Sequence, residues 1–86
     1  MKIEYSNKSV KQLYKLDAAT KRRVRAGIDG IMETPPKGDI KAMQSYSDGT
    51  RRLRIGKYRI IYKLMVEKDT EILYIIDIRS RGDIYK

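Results

Sequence analysis

Basic residues recur along Arg52–Tyr62, a segment that reads as two strands joined at Gly56. Side chains of a strand alternate between its faces, so the spacing predicts that Arg52, Arg54 and Arg59 lie on or near one surface. The planar guanidinium group of arginine donates paired hydrogen bonds to phosphate. We therefore predict that this hairpin binds a nucleic-acid backbone. The alternative is a solvated strand face whose charges discourage pairing with another edge.

The C-terminal segment carries a second group of basic and aromatic side chains, Arg79, Arg81 and Tyr85. If the last strand ends near Arg79, the segment returns across the sheet edge and brings these residues towards the arginines of the hairpin. A concave basic site with a tyrosine at its rim is typical of proteins that hold single-stranded RNA by its phosphates and stack a base. Packing of Tyr85 on the sheet is the alternative for that side chain.

Composition narrows the possible functions. The 86 residues predict a single domain, residues 1–86, and the net charge of +9 favours polyanionic partners: nucleic acid, an anionic membrane surface or an acidic protein. The sequence has no apolar run of about 20 residues and no apolar stretch at its start, so we expect a cytoplasmic protein. Cysteine and histidine are absent, which excludes disulfides, thiolate chemistry and the usual zinc ligands. No cofactor and no metal are expected.

The first third of the chain is predicted to hold a short strand followed by two helices. Lys2–Tyr5 alternates between polar and apolar residues, and Ser6 or Asn7 is a suitable N-cap for the first helix. A second helix begins near Asp17 or Thr20; its basic face is either solvated or a second phosphate contact. The apolar residues at helical spacing are Val10, Leu13 and Tyr14 in the first helix and Val24, Ile28 and Ile31 in the second.

The second half is predicted to form an antiparallel meander. Residues 37–49 read as a connection anchored by Met43, and strands are expected at 50–55, 58–66 and 71–79, joined by tight turns. The third of these strands is nearly all apolar and is expected to be the central one, with both helices on one face of the sheet. The predicted class is α+β: a short N-terminal strand and two helices packed on an antiparallel sheet of three to four strands.

Three blocks of the sequence, 35–41, 52–62 and 81–85, resemble the RelE/ParE superfamily of bacterial toxins, specifically its RelE branch. The blocks read PPKGDIK, RLRIGKYRIIY and RGDIY, in the order and at the separations of the family. The resemblance implies a compact fold related to microbial ribonucleases and a neutralising antitoxin, expected to be acidic. It also implies an activity in the bacterial cytoplasm: cleavage of mRNA in the ribosomal A site, which stops translation.

The resemblance implies roles for individual residues. Arg59 matches the family arginine that contacts the scissile phosphate, and Tyr85 matches the C-terminal catalytic tyrosine. Arg52 and Arg54 occupy a strand where well-studied RelE toxins have lysine, which preserves phosphate binding but weakens the case for a general base there. The expected catalytic residues are therefore Arg52, Arg59, Arg79, Arg81 and Tyr85, and the expected RNA-binding residues are Arg51, Arg54, Lys57 and Lys63.

The implied chemistry is RNA cleavage without a metal. The 2′-hydroxyl attacks the adjacent phosphate, which needs a base, stabilisation of the phosphorane charge and an acid. Histidine is absent. Arginine is a poor general base, because its side chain already carries its proton at neutral pH. The phenol of Tyr85 has an unperturbed pKa of about 10, which a surrounding cluster of cations would lower, so Tyr85 is the natural candidate, with Lys57 and Lys63 as further ones. Such a site is expected to rely on the ribosome to position the message.

Three functional hypotheses are compatible with the sequence. The first is the ribosome-dependent mRNA endonuclease. The second is a ParE-like toxin that inhibits DNA gyrase by protein contact, against which the combination of Arg59, Arg81 and Tyr85 argues. The third is a non-catalytic basic module that binds RNA or an acidic partner, with an affinity that falls steeply with salt.

Overall fold

A computed structural model of the chain describes residues 1–42 and 49–80. In chain order, the elements are β1 (Lys2–Tyr5), α1 (Asn7–Tyr14), α2 (Ala18–Ile31), β2 (Asp39–Ala42), β3 (Arg51–Ile55), β4 (Tyr58–Glu67) and β5 (Thr70–Ser80). The predicted α+β class is confirmed, as are the N-terminal strand and the two helices. Within these residues, no helix is long and apolar enough to cross a membrane.

The predicted number of strands in the sheet, three to four, is too low. The strands form one sheet of five in the order β1-β5-β4-β3-β2, in which β1 runs parallel to β5 and the other pairs are antiparallel. The additional strand is β2, which lies in the segment expected to be a connection. It has four mostly exposed residues, so it lacks the apolar alternation of a strand and is held by its pairing with β3. Met43, the expected anchor, lies outside the described residues.

The interior strands differ from the expected order. β4 occupies the middle of the sheet, whereas β5, expected to be central, lies between β4 and β1. β5 is nevertheless rich in buried apolar residues, because it has a neighbouring strand on each side and helices over one face.

Helix α1 begins where β1 ends and takes over the pairing with β5. The backbone N–H of Ser6 donates to the carbonyl of Ile75 at 2.9 Å, and the Ser6 hydroxyl donates to the carbonyl of Ile76 at 2.7 Å. The Ser6 hydroxyl also accepts from the N–H of Ser9 at 3.0 Å as the N-cap. These bonds satisfy carbonyls that an edge strand would otherwise expose.

The apolar face predicted for α1 is only partly buried. Leu13 packs against the core, but Val10 is 36% exposed and Tyr14 is 76% exposed. Ser9 is instead the buried residue of this helix, and its hydroxyl lies 3.1 Å from the carbonyl oxygen of Ile75. The helix therefore approaches β5 through short polar side chains rather than through an apolar stripe.

The core lies between the helices and one face of the sheet. Helix α2 contributes the predicted residues Val24, Ile28 and Ile31, which are at most 3% exposed. A Cβ atom at Gly27 would overlap the side chain of Ile55, so a glycine here lets the helix lie close to β3. The sheet contributes the remaining buried members: Leu53, Ile60, Tyr62, Leu73, Ile75 and Ile78.

An irregularity in the pairing of β4 with β5 sets which side chains occupy the opposite face. Ile61 pairs with Asp77 and Tyr62 pairs with Ile75, so Ile76 is an extra residue on β5. Directly paired residues place their side chains on the same face. We call the face opposite the core the arginine face, and its described members include Lys41, Arg52, Arg54, Arg59, Ile61, Lys63, Asp77 and Arg79.

Leu73 and Leu64 form a matched pair for testing this core. They are directly paired across β5 and β4, but Leu73 is fully buried whereas Leu64 is 44% exposed. We expect Leu73→Ala to lower the free energy of unfolding by about 2–5 kcal/mol, and Leu64→Ala to lower it by less than about 1 kcal/mol. Urea denaturation followed by circular dichroism measures both. Equal losses would contradict the position of the core.

Candidate functional site

Three arginines form a row across the arginine face, near the end of the sheet where β3 turns into β4. Arg54 of β3 is paired directly with Arg59 of β4, which is paired directly with Arg79 of β5. Adjacent strands lie about 4.8 Å apart, so the row spans about 10 Å. Like charges opposite one another repel, which raises the affinity of the row for an anion that lies along it. The structure therefore brings together three of the predicted residues.

A second row, two residues further along each strand, contains Arg52, Ile61 and Asp77. The Nη1 atom of Arg52 is buried and has no hydrogen-bond partner among the described residues. A buried N–H group without an acceptor is costly, and most such groups in proteins are paired. Lys41 of β2, which sequence reasoning did not assign to the site, is paired with Arg52 and extends the row.

The turn between β3 and β4 lies beside the Arg54–Arg59 pair of the row. Gly56 has φ of +56°, a backbone conformation that glycine adopts without steric cost. The turn forms one wall of an open pocket of about 310 Å³, lined by Arg54, Gly56, Lys57 and Arg59. Three of these four residues are cations, so the pocket is suited to a phosphate group. The predicted Lys57 thus lies beside the predicted Arg54 and Arg59.

The buried carboxylate of Asp77 lies beside the row formed by Arg54, Arg59 and Arg79, and sequence reasoning did not assign it to the site. Asp77 is 3% exposed, and its Oδ2 atom accepts a short hydrogen bond from Nε of Arg79. Its Oδ1 atom accepts from Nε2 of Gln12 at 2.7 Å, and Nζ of Lys8 lies 3.4 Å from Oδ2. Gln12 in turn accepts from the backbone N–H of Ile78 at 2.7 Å. The carboxylate thus ties α1 to the strand that carries Arg79.

The surroundings of Asp77 keep it ionised. Burial alone raises the pKa of the carboxyl group. The hydrogen bonds from Arg79 and Gln12 and the positive charges of Arg79 and Lys8 lower the pKa by more than burial raises it, so it lies below its usual value. One sequence signal pointed to this residue: an aspartate inside an otherwise apolar strand, Ile75-Ile76-Asp77-Ile78. Such an acid is seldom buried without a cationic partner.

The other predicted site residues divide into three groups. Lys63 lies on the arginine face by the alternation of β4, two residues beyond Ile61. Arg51 lies on the opposite face of β3, paired with the buried Tyr62, and its charge partly offsets the rise that burial causes in the pKa of the Tyr62 phenol. Arg81 and Tyr85 lie outside the described residues, so their expected approach to the row stays a prediction.

Asp77→Asn is expected to lower the free energy of unfolding at pH 7 by roughly 1–3 kcal/mol, because the groups around it lose a charged acceptor. The folded-state pKa is below the unfolded value of about 3.9, so the carboxylate contributes fully above that value. Its contribution is lost as the pH falls through the folded-state pKa, and the difference between wild type and variant shrinks there.

Urea titrations at several pH values between neutral and acidic measure that difference. Glu71→Gln is the control, because Glu71 lies on the same strand and is exposed. A difference between wild type and Asp77→Asn that stayed constant down to the lowest pH would contradict the ionised state.

Comparison with solved structures places this fold among bacterial and archaeal toxins. The RelE–RelB complex from Pyrococcus horikoshii has 29% identity and a TM-score of 0.70, with 94% of each chain covered. The RelB–RelE complex from Methanococcus jannaschii has 26% identity and a TM-score of 0.70, covering 94% of this chain and 93% of the other. The YoeB/ParE toxin from Agrobacterium tumefaciens has 19% identity and a TM-score of 0.75, covering 93% and 98%.

No curated protein matches the chain significantly in sequence. The sequence profile of one family, described as "ParE toxin of type II toxin-antitoxin system, parDE", matches residues 3–85. That match covers nearly the whole chain, including the three strands that carry the arginine row and almost all of the segments 43–48 and 81–86. The chain therefore belongs to the ParE toxin family of type II toxin–antitoxin systems, within the RelE/ParE superfamily.

Proposed function

We propose that this toxin is a ribosome-dependent endoribonuclease that cleaves mRNA in the ribosomal A site. The observation that carries the proposal is the row Arg54–Arg59–Arg79 on the arginine face. Three adjacent guanidinium groups on rigid strands are suited to the backbone of a single RNA strand and to the charge that develops on a phosphorane. A toxin that acts by protein contact alone has no need for such a row.

The proposed reaction starts with attack of the 2′-hydroxyl oxygen on the adjacent phosphorus. The bond from phosphorus to the 5′-oxygen breaks, leaving a 2′,3′-cyclic phosphate and a 5′-hydroxyl. Arg59, at the centre of the row, and Arg52, two residues before Arg54 on the same face of β3, stabilise the negative charge of the phosphorane. Tyr85 takes the 2′-hydroxyl proton, Arg81 adds positive charge near the reacting phosphate, and a water molecule or a ribosomal group supplies the proton to the 5′-oxygen.

The partner of the toxin in the cell is an acidic antitoxin. Two of the similar solved structures are complexes of a RelE toxin with its RelB antitoxin. A net charge of +9 on 86 residues favours an acidic protein as the partner. Binding of such a partner would reduce the repulsion between the cations of the arginine face. Ribosome and mRNA are the proposed targets once the antitoxin is removed, which places the activity in the cytoplasm.

Arg59→Ala is expected to reduce the cleavage rate by about 100- to 1,000-fold, because it removes a charge that stabilises the phosphorane. Tyr85→Phe is expected to reduce it comparably by removing the proposed base. Primer extension on mRNA in a purified translation system, with and without ribosomes, measures the cuts. Cuts that need ribosomes and disappear in both variants support the proposal.

Membership of the ParE toxin family favours a second candidate, the inhibition of DNA gyrase by protein contact that a ParE-like toxin would carry out. Growth arrest without mRNA cuts would reject the nuclease, and gyrase supercoiling assays would then test the second candidate. Absence of both cuts and arrest would leave a module that binds without catalysis.

Arg54 and Arg51 allow a matched test of the face that binds RNA. They lie on the same strand and are both exposed, but they point to opposite faces of the sheet. We expect Arg54→Ala to weaken binding of a non-cleavable 2′-O-methyl RNA and to reduce the slope of log affinity against log salt concentration by about one counterion. Arg51→Ala is expected to leave both the affinity and the slope nearly unchanged. Fluorescence anisotropy at several salt concentrations measures this. Equal effects would place RNA elsewhere.

A further inference from the structure

We propose that Asp77 is a positioning residue that orients the guanidinium group of Arg79 in the arginine row, and that Gln12 and Lys8 of α1 complete this support. The proposal rests on the proposed nuclease function and deepens it. Asp77 is expected neither to touch RNA nor to act as a base. It acts through Arg79, whose Nε it binds.

The need for such support follows from the register. Arg59 and Arg79 are directly paired and carry like charges. Their repulsion makes it unfavourable for both guanidinium groups to lie close to the same ligand. The flexible side chain of an arginine loses conformational entropy when it is held in place. A carboxylate two residues earlier on the same strand and face offsets both costs, because it attracts the guanidinium group and fixes its Nε.

The support is itself rigid. The side chain of Asp77 is 4% exposed, and both carboxylate oxygens have partners. Gln12 accepts from the backbone N–H of Ile78 at 2.7 Å and donates to Asp77 at 2.7 Å, so it links helix, strand and carboxylate. Lys8 is 66% exposed and adds charge rather than a fixed contact. Residues held in this way keep a catalytic group within the small range of positions that allows fast reaction.

A double-mutant cycle tests the dependence on Arg79. Cleavage in the ribosomal system is measured for wild type, Asp77→Asn, Arg79→Ala and the double variant. We expect Asp77→Asn to reduce the cleavage rate by roughly 10- to 100-fold and to cause no further loss when Arg79 is already alanine. Losses that multiply in the double variant would overturn the proposal, because Asp77 would then act independently of Arg79.

Ile28→Val controls for a loss of stability alone. Ile28 is buried in the core on the other side of the sheet, and its truncation is expected to cost stability without moving the arginine row. Cleavage by this variant is expected to stay within about twofold of wild type at a temperature where both are folded. A comparable fall in Ile28→Val and Asp77→Asn would assign the effect of Asp77 to stability and overturn its positioning role.

A spectroscopic measurement separates this proposal from the proposed nuclease. In ¹⁵N NMR spectra, the Nε–H signal of Arg79 is expected to exchange slowly with solvent in wild type and rapidly in Asp77→Asn. Gln12→Ala is expected to have an intermediate effect. Slow exchange in the wild type but no mRNA cuts would reject the nuclease and retain the orientation of Arg79. Identical exchange in wild type and Asp77→Asn would overturn the proposal whatever the activity.

Discussion

The pairing of β4 with β5 is the constraint on which the candidate site depends. Successive side chains of a strand lie on opposite faces, so a slip of one residue would exchange the buried and exposed sets. The extra residue Ile76 introduces one such exchange partway along β5. Before it, Leu73 and Ile75 face the core; after it, Ile78 faces the core, while Asp77 and Arg79 face away. If the pairing continued regularly past Ile75, Arg79 would pair with Tyr58 instead of Arg59 and would lie on the core face.

Helix α1 has a role in this arrangement beyond covering the sheet. It continues the edge of β5 where β1 ends, and it does so with hydroxyl and amide side chains rather than an apolar stripe. The buried Asp77 would otherwise be costly next to apolar neighbours, and its partners from α1 make its ionised form favourable. Polar contacts at the helix–sheet junction thus extend as far as the arginine row.

The two faces of the sheet balance stability against function. The core face holds nearly all the buried apolar side chains, which must offset the repulsion between arginines on the other face. Two described residues are exceptions: Ile61 and Ile72 are 2% and 3% exposed and lie on the arginine face. The neighbours of Ile61 in the register include Arg52, Arg59 and Lys63. Long basic side chains cover apolar surface with their methylene groups, so cations that are suited to RNA also shield the sheet.

Much of the fold was predictable from the sequence. The helix with Val24, Ile28 and Ile31 and the hairpin at Gly56 follow from apolar spacing and from the turn residue. The alternation of Arg52 and Arg54 with Leu53 likewise predicted a basic face and a buried face on β3. These features depend on interactions between residues close in sequence, which leave a periodic signal. The short strand β2 left none, because its structure depends on pairing with β3.

The sequence by itself determined that three arginines of the hairpin share a surface and that the chain carries an excess of positive charge. Only the tertiary structure decided that Arg79 is paired directly with Arg59, and that Arg79 and Gln12 both bind the buried carboxylate of Asp77. Those outcomes depend on strand order, register and one extra residue on β5. Each is set by contacts between residues far apart in the chain, such as Gln12 with Asp77, and so leaves no local pattern to read.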